Sequence, residues 1–518
     1  MAFDFARHPD DILGQLAQWR AADAPTHGGR ILAYVFDTGL PELDDLVARA
    51  TQAMLPVNGL DPAAFTSVAH LERAVVGFVR DLLHGDADTV GAATTGGTES
   101  NLLAVKTARD LWRDAHPGGG QPRLVLPVTG HGTFRKAAQY FGLTVDLVPV
   151  NADGSVDAAE VAARLGDDVA LVVASAESYP FGIMDPVADI AAAAAEAGIP
   201  CHVDACMGGL TLPFWPAGSD IPTFDFRLPG VTSVAVDLHK FGFAPKGISV
   251  LLQRGRDRQR RQFFACGGWA GYPLVNATML GSKSAMALAA GWAVIQALGR
   301  AGFVTLTARV ARAVAGLRAA IEGIEGLAVF GAPLGPMLAA TADLGVAPDR
   351  RVDPHHWADA LRPLGWTIQM QPGLTQANGV HLPSTAHLTA TPVTEGRLPE
   401  LVPALVQAAD TVRGRPPVDG AALWKSLVSG DATVSGSLAV ARAALRSHGP
   451  RPHGADSRDA STLDSESAWA LLAAFGLAAR DDAAIPGQQA PMLALIEAVP
   501  EAVAERLLIE KLARLAEP

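Results

Sequence analysis

Cysteine is scarce in this chain: Cys201, Cys206 and Cys266 are the only three among 518 residues. The count is odd and shows no metal-ligand spacing, which argues against a disulfide framework or a metal centre. Basic runs are also few. The densest, Arg254–Arg261, has no interleaved aromatic residues and reads as a solvated face rather than a nucleic-acid footprint. A net charge of −12 and a pI of about 5.6 argue against a nucleic-acid partner and weakly against an anionic membrane surface. Long apolar runs are missing too. Val187–Ala197 is interrupted by Asp189 and Glu196, and no stretch reaches the roughly 20 apolar residues of a membrane span. Met1–Arg20 scatters acids and arginines and lacks the charged-then-apolar profile of a signal peptide. These absences lead to the expectation of a cytoplasmic protein without a transmembrane segment.

With 49% hydrophobic and 18% charged residues, the chain can bury a large core, and its length is compatible with several domains. Residues 1–55 read as an N-terminal arm, with helical periodicity at Asp10–Trp19 and Pro41–Met54 and an extended piece at Ile31–Phe36. Residues 56–300 read as a large domain. Within it, short apolar strands at Leu124–Val128, Thr144–Val150, Val169–Ser175, His202–Asp204, Val231–Val236 and Ile248–Leu252 alternate with helices. That pattern predicts an α/β domain with a mainly parallel sheet covered on both faces. Residues 301–415 read as a smaller α/β domain. Residues 416–518 form a C-terminal extension, with a mobile linker expected at 447–467, rich in Gly, Pro, Asp and Ser, and a terminal helix at Met492–Leu515.

Ser233–Gly247 reads S-V-A-V-D-L-H-K-F-G-F-A-P-K-G. A lysine at the mouth of a buried strand is costly to desolvate. Burial is expected to lower its pKa and make Lys240 a nucleophilic amine able to bond a carbonyl; alone, it would read equally as a surface lysine. The glycine-rich turn Gly91–Ser100 opens directly into a helix from Asn101. Free N–H groups at such a start form an anion site, although an ordinary helix start capped by Thr or Ser has the same appearance. Ligands in parallel sheets sit at the carboxyl ends of strands, where His131, Asp204, His239 and Lys240 fall. A phosphate cradle, a ring-stacking histidine, a carboxylate and a lysine are what pyridoxal 5′-phosphate requires.

Gly91–Arg109, P-F-G-I-M-D-P at Pro180–Pro186, H-V-D-A-C-M-G-G at His202–Gly209 and D-L-H-K-F-G-F-A-P-K-G at Asp237–Gly247 together resemble the sphingosine-1-phosphate lyases. These belong to the group II pyridoxal-phosphate decarboxylases of aminotransferase-like fold type I. The resemblance runs from about residue 27 to 425 and resumes at Pro491–Leu512, which would make residues 428–485 an insertion. It implies that Lys240 bonds the cofactor aldehyde and that Asp204 pairs with the pyridine nitrogen. His131 would stack on the ring, with Ala205 on its opposite face. Gly96, Gly97 and Thr98 would hold the cofactor phosphate, with His202 and His239 nearby. Lys246 would be a second active-site amine, although a surface lysine is an alternative, as a helix cap is for His131. Tyr179 could line the pocket or pack in the core, and Cys206 reads as a small buried residue. The family's homodimers imply that Ser282 reaches the partner chain's cofactor phosphate.

The resemblance departs where the lyases bind a substrate phosphate. Phe36 stands in place of a tyrosine, Asp61 in place of a histidine, and Gly281-Ser282-Lys283 in place of a G-S-R-like element. A carboxylate at Asp61 would repel a phosphate. The expected activity is retro-aldol cleavage of a 2-amino-3-hydroxy amine, with amino-acid decarboxylation as the alternative and a non-catalytic scaffold as a third reading. The small-molecule partner is then an amine or an amino acid.

Overall fold

The computed structural model describes residues 5–429, 463–474 and 489–517. Its centre is a seven-stranded sheet formed by β1 (Thr89–Thr94), β2 (Arg123–Pro127), β3 (Thr144–Val148), β4 (Val169–Ser175), β5 (Cys201–Asp204), β6 (Val231–Val236) and β7 (Ser249–Arg254). In space the order is β1-β7-β6-β5-β4-β2-β3. The five strands from β6 to β3 run parallel, and β7 lies antiparallel to both β6 and β1. Every residue of β4 and β5 is buried. Strands covered by helices on both faces need such unbroken burial, which explains the continuous V-A-L-V-V-A run.

Register decides what meets at the sheet edge. Ser175 pairs with Asp204 and Asp204 with Ala235, so β4, β5 and β6 end level with one another. Thr94 pairs with Ser249, which brings the turn after β1 beside the start of β7. The turn feeds a helix, Gly97–Ala115, and the segment after β2 feeds another, Thr133–Phe141. A second, four-stranded antiparallel sheet is built from Leu327–Val329, Met337–Ala342, Gln369–Gln371 and Thr385–Thr389, with helix Pro354–Leu361 against it and helix Thr394–Val412 packed on that helix.

The arm differs from its expected form. Ile31–Phe36 is not a strand: Ile31 makes one isolated bridge to Thr367, and Leu32 donates its N–H to the Thr367 carbonyl (2.8 Å). Tyr34 has a φ of 41°, a left-handed conformation that interrupts an extended run. At the other end, the expected single helix Met492–Leu515 is two, Ala490–Ala498 and Glu501–Ala516, separated at Val499–Pro500 because proline lacks the N–H a continuous helix would use there. Of the expected linker, residues 447–462 lie outside the described residues. Its end, Leu463–Ser467, is ordered: Asp464 accepts from the Ser467 N–H (2.7 Å) and starts helix Ser465–Ala474.

Met286–Glu322 is a 37-residue helical stretch, broken internally at Gly299 (φ 52°). By length and composition alone it could cross a membrane, which corrects the expectation that no segment is long and apolar enough. Here it serves as a core helix, with Phe303, Leu306, Val310, Leu317 and Ile321 buried. The Phe303 ring is stacked on Phe214 at 5.2 Å between centroids and lies 5.8 Å from Phe78 and 6.3 Å from Phe243. Phe303→Ala is expected to cost about 3–5 kcal/mol, through lost burial and a cavity that stacked neighbours cannot fill. A urea melt of the variant against the parent measures it.

Candidate active site

The strand ends open into a cavity of about 580 Å³. On its floor, Asp237 follows β6 and is 3% exposed. Its carboxylate receives the Lys240 ammonium at 3.1 Å, faces His239 Nε2 at 3.5 Å and accepts the Ser249 hydroxyl. Burial alone would push the Asp237 carboxyl up, but Lys240, His239 and Ser249 hold it well below the usual carboxylate range. Burial likewise opposes the Lys240 charge, yet Asp237, Cys206 and Asp204 hold its pKa above the usual lysine range. This corrects the expectation of a lowered Lys240 pKa. The ion pair with Asp237 outweighs desolvation.

The lowered amine is Lys246. Burial, and then the neighbouring Lys240 charge, bring it down to about 8. Its ammonium donates to the His239 carbonyl (3.0 Å) and lies 4.5 Å above the Phe36 ring.

A second polar chain crosses behind the cavity at Asp204. One Asp204 oxygen accepts from Asn101 Nδ2 (3.1 Å) and the other from the Cys206 N–H (3.0 Å). Asn101 also bonds Thr133 (3.2 Å) and His202 Nε2 (3.1 Å), and His202 Nδ1 meets Ser233 (2.8 Å). Fully buried, His202 is held neutral, its pKa lowered from 6.5 to about 4 by desolvation. Glu99 braces the glycine turn, accepting from Thr95 N (2.6 Å) and from the Met279 N–H (2.6 Å) of a distant loop.

Pyridoxal 5′-phosphate fits these residues on two observations. A Cβ on Gly97 would lie 2.6 Å from Cys206 Sγ and 2.8 Å from the Asp237 carboxylate, so the turn keeps backbone N–H groups uncovered at a helix start where a phosphate can approach. Beside it, within 3.3 Å of a Cβ on Gly96, sits the ring of His239, whose Nδ1 is buried with no partner among the described residues. Lys240, Asp204 and the cradle would hold the aldehyde, ring nitrogen and phosphate of the cofactor.

Residues 36–327 match the family model described as "Pyridoxal-dependent decarboxylase conserved domain". The chain belongs to that family. Residues 438–514 match a second family model, for a C-terminal HTH domain of pyridoxal-dependent enzymes. That match spans part of residues 428–485 and all of Pro491–Leu512. The sphingosine-1-phosphate lyase of Dictyostelium discoideum is 35% identical over 335 residues, 64% of this chain and 60% of that protein. A protein of Methanothermobacter thermautotrophicus named "Probable L-tyrosine/L-aspartate decarboxylase" is 30% identical over 343 residues, 66% of this chain and 89% of that one. The solved sphingosine-1-phosphate lyase of Burkholderia pseudomallei is 32% identical with a TM-score of 0.71, over 80% of this chain and 93% of that structure. The chain spans only 57–60% of the length of the first two curated relatives it matches.

Of the residues singled out from sequence, Gly96, Gly97, Thr98, His131, Asp204, His239, Lys240 and Lys246 line one cavity. Tyr179 lines it as well; its hydroxyl donates to Gln369 (2.6 Å) and its ring stacks on His387 at 4.7 Å. His131 accepts at Nδ1 from the Thr133 N–H (3.3 Å), as the alternative of a helix-start residue expects, and its ring meets Tyr179 edge-on at the cavity wall. Three residues lie elsewhere. His202 is fully buried, with its Nε2 on Asn101, and is not among the cavity-lining residues. Ala205 is fully buried, its N–H on the Ala235 carbonyl. Ser282 is exposed and accepts from Asn58 at 3.4 Å, outside this chain's cavity. Cys206 is buried in the cavity floor with its thiol pushed up, as a packing residue would be. The run from Arg254 is a surface tied to acids, Arg256 to Asp88 and Arg261 to Asp114.

Asn101, Glu99, Glu177, Lys136 and Tyr140 also line the cavity and were not singled out from sequence. For two of these a signal existed: Thr133, Lys136 and Tyr140 are spaced i, i+3, i+7 after His131, which places them on one helix face.

Gly97→Ala is expected to overpack the Cys206–Asp237 contact at a cost of about 1–3 kcal/mol, read by thermal melting. A pH dependence follows from His202 and His387, both lowered from 6.5 to about 4 by burial. Between those values the unfolded chain binds protons that the folded chain refuses. Stability present above pH 6.5 is therefore lost as pH falls toward 4, by up to about 3 kcal/mol per histidine. Denaturation midpoints at pH 7 and pH 4.5 measure the loss, and replacing both histidines by glutamine flattens it.

Proposed function

We propose that the chain is a pyridoxal-phosphate-dependent carbon–carbon lyase that splits a 2-amino-3-hydroxy amine into an aldehyde and a smaller amine. When bound, the cofactor supplies an aldehyde that takes the substrate amine and a protonated ring that draws electrons from a bond at Cα. The chain's own residues do the remainder. Asp204, fixed from both sides by Asn101 and the Cys206 N–H, would pair with the cofactor's ring nitrogen. Lys240, now paired with Asp237, would hold the cofactor aldehyde. Lys246 takes the substrate hydroxyl proton, the step that carbon–carbon cleavage requires and decarboxylation does not.

Lys246 carries this reading: a second amine in the same cavity, lowered to about 8 and tied only to a carbonyl and an aromatic face. The similarity to proteins named sphingosine-1-phosphate lyase supports it. Amino-acid decarboxylation is the second reading, supported by the 89% coverage of the relative named a decarboxylase.

Two findings bear on whether the substrate is phosphorylated. Phe36 packs edge-on against Phe241 beneath Lys246. Asp61 is exposed, and its carboxylate accepts from the Ala63 and Ala64 N–H groups in a turn outside this chain's cavity. Both substitutions have structural roles of their own, which supports a substrate without the lyases' phosphate. We further propose a homodimer. Leu13 (62% exposed) and Trp19 (63%) project from helix Pro9–Ala21. Trp269 and Tyr272 are exposed on the loop between strands Phe264–Cys266 and Leu274–Asn276, and Met279 and Leu280, just beyond, reach the cavity mouth. A cytoplasmic location is consistent with three free thiols, and an acidic chain supports the absence of a nucleic-acid partner.

The test is product analysis with cofactor and a phosphorylated sphingoid base, its dephosphorylated form, or an amino-acid panel, with Lys240→Ala as control. Aldehyde release is expected, and carbon dioxide alone would replace the lyase reading with the decarboxylase one. Failure of borohydride to bleach a cofactor band would support a scaffold. For the lyase, kcat/KM is expected to rise with pH through an inflection near 8, as Lys246 sheds its proton, and Lys246→Met is expected to remove that limb.

A further inference from the structure

One helix, Thr133–Phe141, forms a graded wall of the cavity. Thr133, Lys136 and Tyr140 all line it, and their spacing sets them on one face, climbing by about 4.5 Å and then about 6 Å. Thr133 is the lowest step: it is buried and bonded to Asn101, the residue that holds Asp204. Tyr140 is the highest, 60% exposed. Lys136 lies between them along the helix, about one turn beyond Thr133, and is exposed. Its ammonium rests 5.4 Å from the centre of the Tyr140 ring and forms no ion pair among the described residues.

The other lysines of the cavity and three of its carboxylates are already engaged, while Glu177, which also lines it, is buried with neither oxygen partnered among the described residues and its carboxyl pushed up by burial. Lys240 pairs with Asp237, Asp204 accepts two N–H groups and Glu99 braces the turn. Lys246 lies low, against the His239 carbonyl. The adjoining Arg135 points away to Glu501 at 2.7 Å. Apolar side chains also line the cavity: Met279 and Leu280, both exposed, and Leu102, buried against this same helix. Lys136 is thus the cation left for a substrate group that projects outward from the reacting carbon.

We infer that Lys136 is a specificity-determining residue that receives an anionic group, carboxylate or phosphate, at the far end of the amine substrate from its reacting carbon. The inference rests on the proposed amine substrate of this cavity. An anion there gains a charge-assisted hydrogen bond from Lys136, while an uncharged analogue leaves the ammonium as it is.

The test is a binding measurement on the full-length, cofactor-loaded protein that needs no turnover. The absorbance of the bound cofactor is titrated with paired amines: phosphoethanolamine against ethanolamine for the phosphate arm, and 4-aminobutyrate against butylamine for the carboxylate arm. At least one anionic partner is expected to bind about tenfold more tightly than its uncharged pair, the value of one charge-assisted hydrogen bond. Lys136→Met is expected to reduce that preference to within about twofold without shifting the cofactor band, and Lys136→Arg to restore most of it. Which arm responds names the anion. No preference in the parent protein overturns the inference, as does equal weakening of charged and uncharged partners by Lys136→Met. If no substrate is turned over, the functional reading fails, but these constants still decide the role of Lys136.

Discussion

The buried ion pair between Asp237 and Lys240 is the constraint around which the rest of the cavity is arranged. Taking two charges out of water costs several kcal/mol per ion, repaid only by close geometry and additional hydrogen bonds. The fold supplies both. β6 ends at Val236, so Asp237 emerges at the sheet edge, and Lys240 returns to it three residues later at 3.1 Å. The antiparallel β7 brings Ser249 to the carboxylate. Gly97 can only be glycine because Asp237 and Cys206 occupy the space of its side chain. The cradle that would hold a phosphate is thus shaped by the neighbour of the lysine. Loss of either charge would leave the other buried and uncompensated, at about 3–5 kcal/mol.

A second polar chain, from Ser233 through His202 and Asn101 to Asp204, performs a similar task without an ion pair. Each member satisfies the next, and a buried network fully satisfied in this way fixes one arrangement. It accounts for the position of His202, 0% exposed, on a strand interior behind the cavity. Its neutral ring joins Ser233 to Asn101 and so sets the direction in which Asp204 faces.

The strand ends were legible in the sequence because parallel strands buried on both faces are written as unbroken apolar runs, and the groups after them are polar by contrast. Asp204, His239 and Lys240 were therefore found together. Properties that depend on partners distant in the chain were not legible. Lys240 reads as a desolvated amine until Asp237 is placed against it. The helix Thr133–Phe141 shows a third limit: its period reveals a face, but not that the face borders the cavity. At the C-terminus a proline at position 500 announced a break, and an apolar period alone hid it.

The two lysines show how one cavity can separate two amines of the same chemical type. Lys240 has a carboxylate at 3.1 Å, and Lys246 has a carbonyl and a phenyl face. A carboxylate stabilises a nearby ammonium far more than a carbonyl dipole does, so burial decides the protonation of Lys246 and the ion pair decides that of Lys240. The effects reinforce each other, because the charge retained on Lys240 further disfavours a charge on Lys246. As pH rises, Lys246 gives up its proton first, while Lys240 remains locked to Asp237. Environments that push like groups apart in this way assign distinct acid and base roles. Under the proposed function this separation would make Lys246 the base and leave Lys240 to the carbonyl, and the separation itself follows from the placement of Asp237 rather than from either lysine.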